Sequence, residues 1–283
     1  MSERISVIIP ARDESDSIAS VLSGVTEVVP DAEIIVIDDG SQDATVERAS
    51  QYATRVLSIP YSIGNGGAIK TGARHAHGDI LVLMDADGQH DPRDIPRLVE
   101  RLESGYDMVV GARRNGSQAN LGRGLANWAY NKLASYMTGH DVKDLTSGFR
   151  VAYKKIFTEF MHLLPNGFSY PTTITMAFFR AGFTVAYIPI TATRRTGRSH
   201  VRPLRDGLRF LIIIFKVATL YSPLKVFIPT SAGLFCIGLA YYVYTFMTQG
   251  RFTNMSALLF TTSVIAFLIG LVSEQITQLM YKE

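Results

Sequence analysis

The sequence predicts an α/β fold built on a mostly parallel sheet, followed by an interfacial helix and two membrane-spanning helices. Three observations predict it. Short apolar runs rich in Val and Ile alternate with helical patterns through the first part of the chain, as in a parallel sheet covered on both faces. Polar clusters fall at the ends of those runs. Near the C-terminus, residues 226–247 and 257–273 carry no charged side chain.

In chain order, ISVIIPA (5–11) precedes a helical pattern over 17–29, and EIIVIDDG (33–40) precedes one over 44–52. RVLSIP (55–60) leads to a helix over 68–75, ILVLMDAD (80–87) to one over 94–103, and MVVGAR (108–113) closes the series. In open sheets of this kind, ligands bind beyond the carboxyl ends of the strands. Residues 10–14, 38–41, 85–89 and 111–113 all lie at such ends and are expected to converge. The stretch GNGGAIKTG (64–72) is not a phosphate loop, because Ile69 stands where such a loop places Gly before its Lys, and the same residue breaks the dinucleotide pattern. Its glycines are expected to permit a tight strand-to-helix turn, with close approach to a ligand as the second reading.

The fourth run, LVLMDADGQHDP, ends in two carboxylates separated by one alanine. On a strand, side chains alternate faces, so Asp85 and Asp87 are expected on one side, with Met84 and Ala86 on the other. Carboxylates held that close repel unless a cation lies between them, and a hard divalent ion with oxygen ligands suits them. Gln89 offers a further carbonyl ligand. The competing reading is a pair of solvated turn residues ahead of Pro92, since Asp and Gly favour turns; the convergence of the other strand-end clusters weighs against it. A helix-loop-helix calcium loop is set aside because His90 stands where that loop needs Gly. No second His or Cys lies near His90 at a zinc-ligand spacing.

The chain has 283 residues and a formal net charge of +3, too mild to argue for nucleic acid. Its single cysteine, Cys236, excludes a disulfide framework and fits a reducing compartment. The start, MSERISVIIPARDES, lacks the pattern of a signal peptide. A helix needs about 20 apolar residues to cross the hydrocarbon core; the first C-terminal run meets this, and the second does if it continues through Glu274 toward Met280. Between 194 and 216, seven basic residues face a single acid, Asp206. A helix from about Pro203 would place Arg205, Arg209 and Lys216 on one stripe beside Leu204, Leu208, Leu211, Ile212 and Phe215, as in an interfacial helix. The same charges obey the positive-inside tendency, which puts the N-terminal domain in the cytoplasm. Trp128 is expected to pack within an amphipathic helix.

The ordered motifs VIIPARDE, VIDDGSQDAT, GNGGAIKTGARHA, MDADGQHDP, VVGAR and DLTSGFR resemble those of a family-2 glycosyltransferase of the GT-A fold. With RRTGRSH and the terminal spans, the chain resembles the polyprenyl-phosphate glycosyltransferases. That resemblance implies a cytoplasmic catalytic domain over 1–200, an interfacial helix over 201–222 and a membrane hairpin over 223–283, in a multi-pass protein of the inner membrane. It implies Mg²⁺ or Mn²⁺ on Asp85, Asp87 and Gln89, and a nucleotide held by Pro10, Ala11, Glu14, Asp39, Asp85 and Ala86. Arg113, Arg123, Arg150 and Arg195 match arginines around the donor diphosphate and the acceptor phosphate. One departure is His200, where the family often has Lys.

The implied reaction moves a hexose from a nucleoside-diphosphate sugar, of GDP-mannose or UDP-glucose type, to dolichyl or undecaprenyl phosphate with inversion. A lipid monophosphate with a second pKa of about 6 is already largely dianionic at neutral pH and needs no general base. Asp144 then has two readings, a group that orients the sugar hydroxyls or acceptor and a loop or cap residue. A homo-oligomer is compatible with the sequence. The competing function is a catalytically silent membrane scaffold or lipid-binding subunit of a glycan assembly complex.

Overall fold

The computed structural model describes residues 4–113, 121–167, 170–191, 219 and 221–280. Arg195, His200 and nearly all of the expected interfacial helix over 201–222 lie outside the described residues. The chain divides into two compact units, Met1–Tyr136 with His140–Val201, and Met137–Gly139 with Arg202–Glu283.

Among the described residues the first unit holds seven strands: β1 (Ile5–Ala11), β2 (Glu33–Asp38), β3 (Arg55–Ser58), β4 (Ile80–Leu83), β5 (Met108–Arg113), β6 (Arg150–Tyr153) and β7 (Val185–Ile190), in the order β3-β2-β1-β4-β6-β5-β7. Val7, Ile8 and Ile9 of β1 and all four residues of β4 are buried, as strands covered on both faces must be. Fully burying each such side chain is worth about 1.5–3 kcal/mol. Helix α1 (Ile18–Val28) turns Ile18, Val21, Leu22 and Val25 onto the sheet, the i, i+3, i+4, i+7 stripe of an amphipathic helix.

Helices α2 (Thr45–Ala49), α3 (Asn65–His75) and α4 (Ile95–Glu103) follow β2, β3 and β4 in the expected alternation. Three features depart from it. Strand β6 runs antiparallel between β4 and β5, so the sheet is mixed. Strand β4 ends at Leu83, so Asp85 and Asp87 sit in the turn beyond it and strand alternation does not orient them. Helix α3 begins at Asn65, inside the glycine run. Gly64 has φ +93°, and a Cβ there would lie 2.6 Å from the Asn166 carbonyl oxygen. The N–H of Gly67 donates to that oxygen at 2.9 Å, which satisfies a donor otherwise orphaned in the first helical turn. The glycines therefore serve the turn and a close backbone neighbour, and Lys70 is occupied by the Leu164 carbonyl at 2.9 Å.

Three further helices follow among the described residues: α5 (Leu121–Thr138), whose last residues belong to the second unit, α6 (Lys154–Glu159) and α7 (Tyr170–Arg180). Trp128 corrects an expectation, being 62% exposed. The buried stripe of α5 runs through Tyr130 and Ala134, and at 100° per residue Trp128 falls on the far side. The Tyr130 hydroxyl donates to Thr172 Oγ1 at 2.9 Å, which docks α5 on α7.

The second unit contains α8 (Pro223–Gln249) and α9 (Asn254–Met280), each 27 residues and long and apolar enough to cross a membrane. At 1.5 Å per residue each spans about 40 Å against a hydrocarbon core of about 30 Å. The second helix does continue past Glu274. Gly250, with φ +63°, ends α8 by returning its N–H to the Phe246 carbonyl at 2.9 Å.

The helices meet along small residues repeating every seven positions: Ser231, Gly238 and Thr245 on α8, with Ser256, Ser263, Gly270 and Thr277 on α9. Ser263 Oγ donates to the Ser231 carbonyl at 2.8 Å. A Cβ on Gly270 would lie 2.6 Å from Phe227 Cβ, whereas Gly233 faces open space. Gly270→Leu is expected to cost about 1–3 kcal/mol through overpacking and to lower the melting temperature in detergent, with Gly233→Leu neutral. Equal melting of the two variants would rule out this seam.

Candidate active site

The antiparallel insertion of β6 explains how the site is assembled. Leu83, the last residue of β4, and Val110 of β5 both pair with Arg150, the first residue of β6. The loop 144–149 therefore arrives at the same sheet edge as the acidic turn after β4 and the end of β5. On the other side, β1 lies between β2 and the parallel β4, so the order in which strands are added reverses between β1 and β4, where open sheets form a ligand crevice.

The loops after β1 and β2 are tied together. Asp13 has φ +53°, and its carboxylate accepts the Gln42 N–H at 2.8 Å while its own N–H donates to Ser41 Oγ at 3.0 Å. The N–H of Glu14 donates to Thr45 Oγ1 at 2.9 Å, and that of Ser15 to Asp43 Oδ2 at 3.1 Å. Burial opposes ionisation of Asp43, but hydrogen bonds from Thr45 and Ser15 outweigh it and take its pKa down to about 2.

Asp39 is buried and binds three donors, the N–H groups of Ile63 at 2.7 Å and Gly64 at 3.0 Å and the Ser62 hydroxyl at 2.6 Å. It thereby fixes the segment leading into α3. Arg12 Nη1 donates to the same Ser62 hydroxyl at 2.9 Å.

In the acidic turn, Gly88 has φ +72°, and the Gln89 N–H donates to Asp87 Oδ1 at 3.1 Å. Asp85 is half-buried beside Gly148; a Cβ on that glycine would overlap the Asp85 carboxylate. His90 is buried and stacks on Phe149 with ring centroids 5.1 Å apart, which packs the turn against the loop before β6. Hard oxygen donors in one short turn fit a hard divalent cation. Among the described residues, no group of three or more His, Cys, Asp or Glu side chains gathers to hold a metal unaided. The remaining coordination positions would fall to phosphate oxygens and water, as is usual for Mg²⁺.

Arg113, at the end of β5, is gripped by Asp144. Its Nε and Nη2 donate to the two carboxylate oxygens at 2.8 and 2.9 Å, and Nη2 also reaches Thr146 Oγ1 at 2.6 Å. Burial works against the Arg113 charge, yet Asp144, reinforced by Asp85 and Asp87, raises its pKa. Burial likewise opposes the Asp144 charge, and Arg113 with backbone N–H groups pulls that carboxyl below its usual range. Both shifts favour the ion pair. Among the described residues the third Arg113 nitrogen, Nη1, donates to none, and the charges of Asp85 and Asp87 act on the guanidinium. Asp144 also accepts the N–H groups of Thr146 and Ser147 at 3.2 and 3.1 Å, so it caps the loop, one of its two readings, while it holds the guanidinium.

Arg150 does not extend this set. It is fully buried, with Nε on the Ser147 carbonyl at 2.8 Å, Nη2 on the Leu145 carbonyl at 3.0 Å and Nη1 on Thr175 Oγ1 at 2.5 Å. These bonds spend it on holding the loop rather than on a phosphate, a correction to the sequence expectation. Arg123 lies in the first turn of α5, and Arg195 is outside the described residues. Pro10 and Ala11 end β1, and Ala86 is buried in the acidic turn. The sequence reading missed Gly148, whose lack of a side chain makes room for Asp85. A glycine one residue ahead of a buried aromatic in a polar loop was the available signal.

With this geometry in place, similarity to known proteins is informative. The family described as Glycosyl transferase family 2 matches residues 6–161, and the GtrB C-terminal hairpin matches residues 222–279. The chain is similar to glycosyltransferase AglJ of Haloferax volcanii, 27% identical across 98% of this chain and 95% of that protein. It is also similar to the undecaprenyl-phosphate mannosyltransferase of Micrococcus luteus, 32% identical across 68% of this chain and 84% of that one. Among solved structures, glucosyl-3-phosphoglycerate synthase from Mycobacterium tuberculosis in complex with Mn²⁺, uridine diphosphate and phosphoglyceric acid superposes with a TM-score of 0.62 at 25% identity, covering 77% of this chain and 79% of that chain.

Proposed function

The chain belongs to glycosyl transferase family 2, and from that premise we propose that it transfers a hexose from a nucleoside-diphosphate sugar to a polyprenyl phosphate, inverting the anomeric centre. The observation that carries this reading is the acidic turn and the fixed Arg113 on one sheet edge, in a chain whose other unit is two helices of membrane length. The relative named as an undecaprenyl-phosphate mannosyltransferase supports the lipid acceptor. Residues 1–200 form the catalytic domain, 201–222 an interfacial segment and 223–283 the membrane hairpin. The basic residues before the first span support a cytoplasmic catalytic domain.

Asp85, Asp87 and Gln89 would hold a divalent cation, Mg²⁺ or Mn²⁺; the Mn²⁺ complex of the structural neighbour supports the choice of ion class. When bound, that ion would supply charge neutralisation for the departing nucleoside diphosphate. Arg113 presents its remaining donor to the same charge, held in place by Asp144, so no reorganisation is needed as charge develops. Pro10, Ala11, Glu14 and Asp39 line the nucleotide side of the crevice, with Asp39 acting through the segment it holds. By their match to arginines of the family it resembles, Arg123 and Arg195 are assigned to the donor diphosphate or the acceptor phosphate. The acceptor oxygen is already ionised and attacks directly.

The test offers purified protein a panel of GDP- and UDP-sugars with undecaprenyl and dolichyl phosphates, with lipid products weighed by mass spectrometry. One sugar should be transferred, with loss on chelation of divalent ions; no product from any pair removes the reading in favour of a silent lipid-binding subunit. Orientation is tested separately. Protease added to sealed inside-out vesicles should digest the region before Val226, and digestion in right-side-out vesicles instead would reverse the assignment.

A further inference from the structure

The turn that carries Asp85, Asp87 and Gln89 is anchored at both ends. At its start the Met84 N–H donates to the Ile8 carbonyl of β1 at 3.2 Å. Beyond it, Asp91 accepts the Arg93 N–H at 3.0 Å, and a Cβ on Gly24 of α1 would lie 3.1 Å from Pro92 Cγ. Between these anchors stands His90, 6% exposed, its ring stacked on that of Phe149 with 5.1 Å between centroids and 27° between planes.

The polar part of this histidine does little for the fold. Its Nδ1 is buried without a hydrogen-bond partner among the described residues, a condition that is rare in folded proteins. The ring, by contrast, has a fixed seat. Phe149 is fully buried, its carbonyl accepts the Gly111 N–H at 3.0 Å, and a Cβ on Gly111 would lie 3.3 Å from Phe149 Cδ1. The next residue, Arg150, holds the Ser147 and Leu145 carbonyls at 2.8 and 3.0 Å, so the surface under His90 has little freedom to move.

The stack joins the two segments that frame the acidic site. On one side His90 follows Gln89; on the other Phe149 follows Gly148, against which the Asp85 carboxylate rests. We propose that His90 is a positioning residue that acts through its ring: stacked on Phe149, it sets the spacing of Gln89 from Asp85 and so shapes the turn for a divalent cation. The proposal rests on the reading of that turn as a metal site given above. Residues behind a metal's ligands orient them, and their mutation typically costs about 10–100-fold in affinity.

Three substitutions separate the ring from its nitrogens. His90→Phe keeps an aromatic ring and removes both nitrogens, His90→Leu keeps apolar bulk without a ring, and His90→Asn keeps a polar atom near the place of Nδ1 and loses the ring. Each full-length variant in detergent is titrated with Mn²⁺ alone, with free ion followed by electron paramagnetic resonance, beside a metal-free thermal melt. His90→Phe should bind within about 3-fold of the parent, and His90→Leu and His90→Asn about 10-fold or more weakly. His90→Leu should melt above His90→Asn, which leaves a polar group buried, so an equal loss of affinity at unequal stability marks a positioning role. If the parent itself binds no Mn²⁺, the metal reading fails and the proposal with it. If the parent binds and His90→Leu or His90→Asn binds equally well, the role of the ring is overturned while the metal reading stands. A loss in His90→Phe as large as in His90→Asn assigns the effect to a nitrogen, and a loss that follows the melting temperatures through the series assigns it to general loosening; either result also overturns the proposal.

Discussion

Asp87→Asn should lower turnover by at least about 100-fold, or roughly 2.7 kcal/mol of transition-state stabilisation, while leaving the fold intact. The substitution is isosteric. The Gln89 N–H that donates to Asp87 Oδ1 at 3.1 Å finds an amide oxygen in the same place, so the turn after β4 keeps its shape. On the proposed reading, what is lost is a negative charge that would face the cation on the departing diphosphate. The measurement is steady-state turnover over a range of Mn²⁺ concentrations beside a thermal melt. Near-normal metal-dependent turnover at an unchanged melting temperature would remove Asp87 from the metal site.

The second large effect is expected from a residue with no chemistry of its own. Gly148→Ala puts a methyl group where the Asp85 carboxylate now lies. The backbone there cannot easily yield, because Ser147 Oγ donates to the Gly111 carbonyl at 2.6 Å and the Gly111 N–H donates to the Phe149 carbonyl at 3.0 Å. The half-buried Asp85 side chain is the part that moves, by rotating out of its pocket. Turnover and Mn²⁺ affinity should therefore both fall, turnover by about 10²-fold as for a lost ligand, with a melting temperature within a few degrees of the parent. Normal turnover would mean that Asp85 works from a position other than the one beside Gly148. Collapse of the melting temperature would instead show that the loop, not the carboxylate, gives way.

Much of this was legible in the sequence. Strands β1, β2, β4 and β5 announce themselves as Val- and Ile-rich runs because each is buried on both faces, and α1 by its apolar spacing. Strand β6 could not be seen that way. It has four residues and opens on an arginine, and its antiparallel insertion obeys no βα alternation. The acidic turn was found, but its placement on a strand was wrong because Met84 prolongs the apolar run past the last residue of β4. Arg113 and Arg150 look alike as strand-end cations. Only tertiary context separates them, since Asp144 holds the first at the site and carbonyl oxygens absorb the second. Trp128 illustrates the same limit: a helix is legible locally, whereas the side it shows to a neighbour is fixed by the neighbour.

The small-residue seam of the hairpin has a consequence for alignment. A seam repeating every seven residues on both helices looks nearly the same after a slip of seven, about 10 Å of sliding. Like a vernier with identical marks, it enforces close approach without saying which mark meets which. The short link between Gln249 and Asn254 disfavours the slipped pair, because about 10 Å of sliding across helix axes about 8–10 Å apart would stretch it most of the way to its full length. The link is thus the ruler of the membrane unit: lengthening it would leave every seam residue in place and still release the hairpin to choose among registers.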